Sequence, residues 1–550
     1  MTLPFVTGAV HHTGLRPPAL SRAAYDRGVT LATDKPPAPV QDNPEPAGVR
    51  RVPDAVRRRL STLDNWLNPY SWLVTAAIVI VAAILRLSGL NRPKGYIFDE
   101  VYYPTDAWDM LQHGVEWDEK TNGPAYVVHP PLGKWLIALG EMAFGNTEVG
   151  WRVPTAIAGT LMVLIVIRVA YRLFHSIVLA GTAGLLMTLD GFHLVLSRTS
   201  LLDIFLALFI LATFAAMVVD RDAYRRRWLR ALENGYDPDT ARRLPVFVPW
   251  WLLVAGVLFG MACAVKWSAL FFAPFFAALV IVWRVGARRS AGVRRPVAAG
   301  LRGDLGFLVL SFVLTVLTYL ATWTGWFVTD VGYFRHYREA NGLSEPPVLG
   351  ALLNLIHYHQ EAYSFHSGLT DRHVYQSWPW QWLLLGRPVA FYWNGNGPCG
   401  APSCASEILL LGTPVLWWSF IPALAALVWF GIARRDWRAF AIGTGVVAGL
   451  LPWFYYAIAD GRTMFAFYVM PALPFLILAV VYALGAVMTP PTGIASGAAR
   501  TDRQMIGVVA AGIYVLLVAL CFAYFYPIFV GQTIPYEAWQ HRMWLGNRWI

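Results

Sequence analysis

Apolar residues gather into runs long enough to cross about 30 Å of hydrocarbon, and polar residues collect in the gaps between them. The runs fall near 71–90, 151–174, 176–194, 202–219, 247–264, 267–284, 305–327, 407–431, 439–458, 463–487 and 505–528. They predict an all-α polytopic membrane protein of about eleven transmembrane helices. A further apolar stretch, 131–145, holds about fifteen residues, too few at 1.5 Å each for an untilted span. It is expected to form a helix along the outer membrane surface.

Charge fixes the orientation that this pattern leaves open. Arg50, Arg51, Arg57, Arg58 and Arg59 precede the first run, and the segments 221–243, 284–302 and 434–438 are also Arg-rich. Basic loops stay cytoplasmic, so the N-terminus reads as inside and the C-terminus as outside. The alternation holds only if 131–145 does not cross, because otherwise Arg168 and Arg172 would face out. Two outer loops are then long, 91–150 and 328–406. Loops of that length are functional or disordered, and these are too aromatic for disorder. Residues 1–60, rich in Pro, Arg and Ala with no apolar run, read as a disordered cytoplasmic tail, leaving 61–550 as one transmembrane domain.

Composition narrows the class. The chain of 550 residues is 57% hydrophobic and 14% charged, where soluble domains are about one-quarter charged. Its net charge of +11 raises nucleic acid as a partner, but the basic residues sit beside apolar runs, which points to membrane lipids instead. Of four cysteines, Cys263 and Cys521 lie in apolar runs. Cys399 and Cys404 share a Gly/Pro-rich outer loop, where a local disulfide fits an oxidising compartment. No second Cys/His pair accompanies them at zinc-ligand spacing.

The polar residues at the outer span ends carry the candidate chemistry. Charges at membrane depth cost roughly 2.5–3.5 kcal/mol each, so those that persist there mark functional sites. Asp99 and Glu100 follow the first span, and His129-Pro130-Pro131-Leu132-Gly133-Lys134 opens the surface helix. Arg152 opens the second span; Arg198 and Asp203 lie at the turn between the third and fourth; Lys266 lies between the fifth and sixth. Acids to take a proton and cations to hold a phosphate are what sugar transfer from a lipid phosphate needs. Plainer readings stand beside this one: a snorkelling anchor for Arg152, and for Arg198 and Asp203 either a mutual pair that locks the turn or a bridge to another span, since five residues is a loose spacing for helix neighbours.

Phe98-Asp99-Glu100, the His-Pro-Pro-Leu-Gly-Lys segment, Arg152, Ser197-Arg198-Thr199-Ser200-Leu201-Leu202-Asp203 and Val265-Lys266-Trp267, in this order, resemble the protein O-mannosyltransferases. The likeness continues through His373-Val374-Tyr375-Gln376-Ser377-Trp378-Pro379-Trp380 and Phe467-Tyr468-Val469-Met470-Pro471, covering roughly 70–490. The eukaryotic members carry a soluble β-trefoil module in the second long outer loop, for which 328–406 is too short. The shorter form is most similar to actinobacterial members, and implies a bacterial plasma membrane protein.

The resemblance implies the GT-C membrane fold and transfer of mannose from polyprenyl-phosphate-mannose to Ser or Thr hydroxyls, with inversion at the anomeric carbon. The acceptors would be translocated proteins, met at the extracytoplasmic face and handed on by the secretion translocon. Asp99 is expected as the base, with Glu100 in the catalytic pair to orient the site or to ion-pair with a basic neighbour, and Arg152 and Lys266 as phosphate ligands. Arg198, Asp203 and His129 are expected as site support, and His373, Tyr375 and Trp380 as sugar or acceptor contacts. No cofactor is expected and no metal is required by this scheme, though a carboxylate pair could hold one as in other GT-C relatives; His357, His359, His366 and His373 lack a ligand motif. A GT-C enzyme acting on a lipid or lipoglycan is the alternative. A transporter would place ionisable residues at the midplane of internal repeats, and no repeat is visible.

Overall fold

The computed structural model describes residues 52–62, 66–238, 248–489 and 498–550. In chain order the helices are α1 Asp54–Leu60, α2 Pro69–Leu87, α3 Tyr103–His113, α4 Leu132–Phe144, α5 Glu148–Phe174, α6 Ile177–Thr188 and α7 Gly191–Arg198. Next come α8 Asp203–Glu233, α9 Trp250–Val265, α10 Ala273–Ser290, α11 Pro296–Ala321, α12 Thr324–Val328, α13 Tyr337–Ala340 and α14 Leu349–Gly368. The last are α15 Pro379–Trp382, α16 Pro414–Arg434, α17 Trp437–Tyr455, α18 Leu473–Met488, α19 Ala498–Val530 and α20 Tyr536–Gln540. Two small antiparallel sheets lie between them: β1 Trp117–Asp118 with β2 Gly123–Pro124, and β3 Val389–Asn394, β4 Cys404–Leu410 and β5 Ile534–Pro535 in that order.

Nine helices among the described residues are long and apolar enough to cross a membrane, and the bent pair α6–α7 makes a tenth if counted as one span. With the shorter apolar α9, each predicted run contains an apolar helix. Local sequence sets the boundaries. Asn68 caps α2 by accepting the N–H groups of Tyr70 and Ser71, with Pro69 as its first residue. Thr147 caps α5 through Gly150. Helix α4 has 13 residues, a rise of about 20 Å and short of a span. It packs on α5 where Gly140 meets Gly150: a Cβ at Gly140 would stand 2.2 Å from the Gly150 carbonyl oxygen. That close crossing seats the start of α5, and with it Arg152.

The third run breaks in the middle. Helices α6 and α7 meet at 60°. The buried Asp190 holds the corner, accepting from His193 N at 3.0 Å, Thr413 N at 3.1 Å and Trp417 Nε1 at 2.8 Å. Helices α9 and α11 pack through Gly256 and Gly260, whose added Cβ atoms would lie 2.4 and 2.6 Å from the carbonyl oxygens of Ser311 and Thr315.

Several expectations need correction. The run at 407–431 begins as strand β4, fully buried, and turns helical only at Pro414. The Arg-rich segment at 221–243 is not loop at its start, because α8 continues to Glu233. Of the expected tail, residues 1–51 lie outside the described residues, while Asp54–Leu60 is helical. Leu60 anchors it in an apolar cluster with Tyr224, Trp228 and Ala287. The disulfide expected between Cys399 and Cys404 is present.

The two ends of the bundle differ. At the end holding α1, Arg284 bridges Asp220 (2.6 Å) and Asp304 (3.2 Å), Arg288 pairs with Asp304 (2.6 Å), and Arg221 lies 3.3 Å over the Trp437 ring. The opposite end carries the candidate site.

Candidate active site

Phe98 opens the short 3₁₀ turn Phe98–Val101 at φ 48°, a left-handed conformation unusual for a side chain of this size. Stacking holds it there, against Phe391 at 4.5 Å and edge-on to Phe467 at 5.9 Å. The next two side chains then part company. Glu100 is fully buried and Asp99 half-buried.

Glu100 closes on Arg152. The Arg152 guanidinium donates from Nε to Oε1 (2.8 Å) and from Nη2 to Oε2 (2.7 Å). It spends its remaining N–H groups on the carbonyls of Leu90, Pro93 and Gly95 at 2.9–3.0 Å. Glu100 also accepts from Ile97 N and Ser200 N. All five donors of Arg152 are thus committed, and none remains for a phosphate. The ion pair with a basic neighbour, one of the roles open for Glu100, forms with Arg152, and the expected phosphate contact for Arg152 gives way to it: together they clasp the Leu90–Glu100 loop to α5 and to the turn before α8.

Asp99 lies within electrostatic reach of a second pair. Lys266 leaves the end of α9 in extended backbone, and its Nζ donates to Asp203 Oδ2 at 2.8 Å, both groups buried. The ammonium also stands 5.8 and 5.9 Å from the rings of Phe467 and Tyr468. Burial pushes the Asp99 carboxyl up to about 6; Lys266 opposes that shift and Asp203 adds to it. Of the two readings open for Arg198 and Asp203, the mutual pair does not form and each reaches another span, Asp203 through Lys266. Arg198 instead donates to the carbonyls of Leu85 (3.0 Å), Arg86 (3.2 Å) and Gly89 (3.3 Å), closing the end of α2.

His129 completes this side. Its ring lies 6.0 Å from Tyr103 and 5.2 Å from His366. Burial, with Lys266, His366, Lys134 and Arg462 around it, holds its pKa well below the usual imidazole range, so it is neutral. His373 joins at a distance: its ring packs on Phe465 (5.1 Å), which stacks on Phe467 (5.2 Å). Tyr375 lies under the Arg387 guanidinium at 5.4 Å. Trp380 is 48% exposed and stacks on Trp378, so its ring belongs to the surface rather than to the group around Asp99.

Sequence reasoning missed Arg462, His366 and Tyr103. Arg462 donates to the His366 carbonyl (2.9 Å) and lies 5.6 Å from the Tyr468 ring. It stands in a turn between two apolar runs at the same end as Lys266, so the rule that singled out Lys266 would have found it. His366 was weighed only as a metal ligand.

Beside this group a largely apolar cavity of about 1130 Å³ runs between α8, α9, α10, α11 and α14. Phe259, Phe276, Phe312 and Tyr363 line it, and Trp267, the residue after Lys266, closes one end. At that end Trp267 Nε1 donates to the Tyr319 hydroxyl (3.1 Å), which pairs with His359 Nε2 (2.5 Å).

Two family models match the chain: dolichyl-phosphate-mannose-protein mannosyltransferase over residues 128–232, and the C-terminal four TMM region of protein-O-mannosyltransferase over residues 351–549. The polyprenol-phosphate-mannose–protein mannosyltransferase of Mycolicibacterium smegmatis is 39% identical over 492 residues, covering 86% of this chain and 92% of the relative. That of Mycobacterium tuberculosis is 37% identical over 535 residues, covering 94% and 98%. In structure, a chain of the Saccharomyces cerevisiae protein O-mannosyltransferase Pmt1–Pmt2 complex bound to the sugar donor aligns with TM-score 0.67 at 15% identity, over 90% of this chain and 94% of that one. Identity of this extent along nearly the whole length, with the same fold, places the chain in the polyprenol-phosphate-mannose–protein mannosyltransferase family of membrane glycosyltransferases.

Proposed function

We propose that this enzyme moves mannose from polyprenyl-phosphate-mannose to a Ser or Thr hydroxyl of a protein, with Asp99 as the base. The observation that carries the reading is the meeting of Asp99 with the Lys266–Asp203 pair beside an apolar cavity of about 1130 Å³. An isoprenoid chain suits that cavity, and its phosphate would then lie near Lys266. A serine hydroxyl is a weak nucleophile, so proton removal by Asp99 as the bond forms is worth about 10²–10⁴ in rate. The hydroxyl oxygen attacks the anomeric carbon, the carbon–oxygen bond to phosphate breaks, and the proton passes to the Asp99 carboxylate. One displacement inverts the centre.

The departing phosphate gains charge and needs fixed cations. Lys266 spends one of its three donors on Asp203, and Arg462 has N–H groups beyond its bond to the His366 carbonyl. These two are the phosphate ligands, with neutral His129 positioned for a sugar hydroxyl. His373 and Tyr375 border the acceptor path. No metal enters this scheme.

The Arg-rich end of the bundle sits in the cytoplasm under the positive-inside rule, so Asp99 opens to the extracytoplasmic face, where secreted chains emerge from the translocon. The test gives the purified protein labelled polyprenyl-phosphate-mannose and a Ser/Thr-rich peptide. Label on peptide hydroxyls with inverted configuration is expected. Label only in a glycolipid would favour a lipid acceptor and overturn the reading.

A further inference from the structure

The second long loop holds a group of metal-ligand side chains that the transfer reaction does not use. We propose that His336, Glu339 and Glu345 bind one zinc ion, which fastens α13 to the segment leading into α14. The assignment is independent of Asp99.

One nitrogen or oxygen from each of the three residues lies within 4.8 Å of the other two. His336 precedes the one-turn helix α13, and Glu339 on that helix brings its Oε2 to 3.5 Å from His336 Nδ1. Glu345 arrives six residues later, ahead of α14. Ligands around a tetrahedral zinc, with bonds of about 2.0–2.2 Å, stand about 3.4 Å apart. The side chains of His336 and Glu339 are 45% and 76% exposed, so they can rotate to close that gap, and an ion can enter from water.

The hydrogen bonding leaves the ligand lone pairs unspent. His336 Nε2 stands 3.0 Å from the Asp330 carbonyl oxygen and 3.3 Å from the Asp330 Oδ1. Both oxygens accept, so Nε2 carries the hydrogen and Nδ1 of the neutral ring carries the lone pair. A histidine that donates its far N–H to a backbone carbonyl is oriented as metal-binding histidines are. Glu345 is held in a similar way. Its Oε1 accepts from Asn354 Nδ2 at 3.0 Å and pairs with Arg335 at 3.5 Å, and Asn354 is fully buried on α14. The other oxygen, Oε2, is buried with no hydrogen-bond partner among the described residues. A carboxylate oxygen so placed is costly, and a metal ion relieves it.

Charge agrees with a divalent ion. Asp330, Glu339 and Glu345 bring three negative charges, and Arg335, 3.2 Å from Asp330, brings one positive. Two remain for the ion to neutralise. One imidazole with two carboxylates suits zinc better than magnesium or calcium, which take oxygen ligands alone, and three protein ligands leave a fourth position for water. The ion joins α13 to the entrance of α14, the helix that carries His366 near its other end.

The test uses full-length protein purified without a polyhistidine tag, stripped with EDTA and then titrated with zinc. One zinc per chain should bind saturably and raise the melting temperature by several degrees, because an ion that binds only the folded form stabilises it. His336→Ala and Glu339→Gln change exposed positions and should fold; each should weaken binding at least tenfold and abolish the thermal shift, as should Glu345→Gln. Cobalt(II) added to the stripped protein should give visible absorption bands that His336→Ala lacks. Transfer measured below the melting temperature of the stripped protein should be unchanged. An imidazolium bridging Asp330 and Glu339 would leave the wild type with no saturable zinc binding, and that result, or wild-type binding in all three variants, would overturn the site.

Discussion

Glu100 and Arg152 are bound to each other by two charged hydrogen bonds of 2.8 and 2.7 Å in a place that water does not reach. Asp99, one residue away, is half-exposed and within electrostatic reach of Lys266. An acidic dipeptide thus divides into one residue that builds the site and one free to act. Removing either member of a buried pair strands the other and costs about 3–5 kcal/mol. Glu100→Gln and Arg152→Lys should therefore lower the melting temperature in detergent and reduce folded yield, with donor affinity retained in the folded fraction. A variant that melts normally but no longer binds donor would return Arg152 to the phosphate.

Asp99→Asn should fold normally and bind donor, with kcat lower by about 10²–10⁴. A base works only when ionised. With its carboxyl raised to about 6, kcat/KM should fall on the acid side of that value, by about tenfold per pH unit once well below it. In Asp99→Asn the residual rate should lose this limb. An unchanged acid limb would assign it to another group.

Filling the apolar cavity should discriminate by lipid length. Ala277 lines it from α10, and Ala277→Trp should raise KM for a long-chain donor while sparing a donor truncated to one or two isoprene units. Equal KM changes for both would place the chain elsewhere.

Arg387 ties the segment around Val374 to residues 548–550. It donates to the Val374 carbonyl from Nε (3.0 Å) and Nη2 (2.8 Å), and from Nη1 to the carbonyls of Arg548 (3.0 Å) and Ile550 (2.8 Å). Arg387→Ala frees the His373–Tyr375 segment, and should raise KM for the peptide by about tenfold, roughly the 1.4 kcal/mol of one charged hydrogen bond. Donor KM should not move. Peptide kinetics with donor at saturation will show whether it does.

Chelation should leave transfer intact. A divalent ion wants several oxygen ligands, yet Asp203 is already tied to Lys266, which leaves Asp99 as one carboxylate beside an ammonium. Loss of activity in EDTA that returns with Mg²⁺ or Mn²⁺ would contradict this.

By itself the sequence determined the membrane class, the positions of the apolar helices and the short α4, because hydrophobicity and length are summed locally along the chain. It also placed Asp99, Arg152 and Lys266 at one end of the bundle, since alternation of spans assigns ends without knowing contacts. It did not reveal the break at Asp190, the strand 404–410 that overlaps the start of the apolar run at 407–431, or which cation pairs with which acid. Those were decided by tertiary structure. Partners such as Glu100 and Ser200 lie a hundred residues apart, and burial, not position in the chain, settles whether a charged group is spent on its neighbours or left free for substrate.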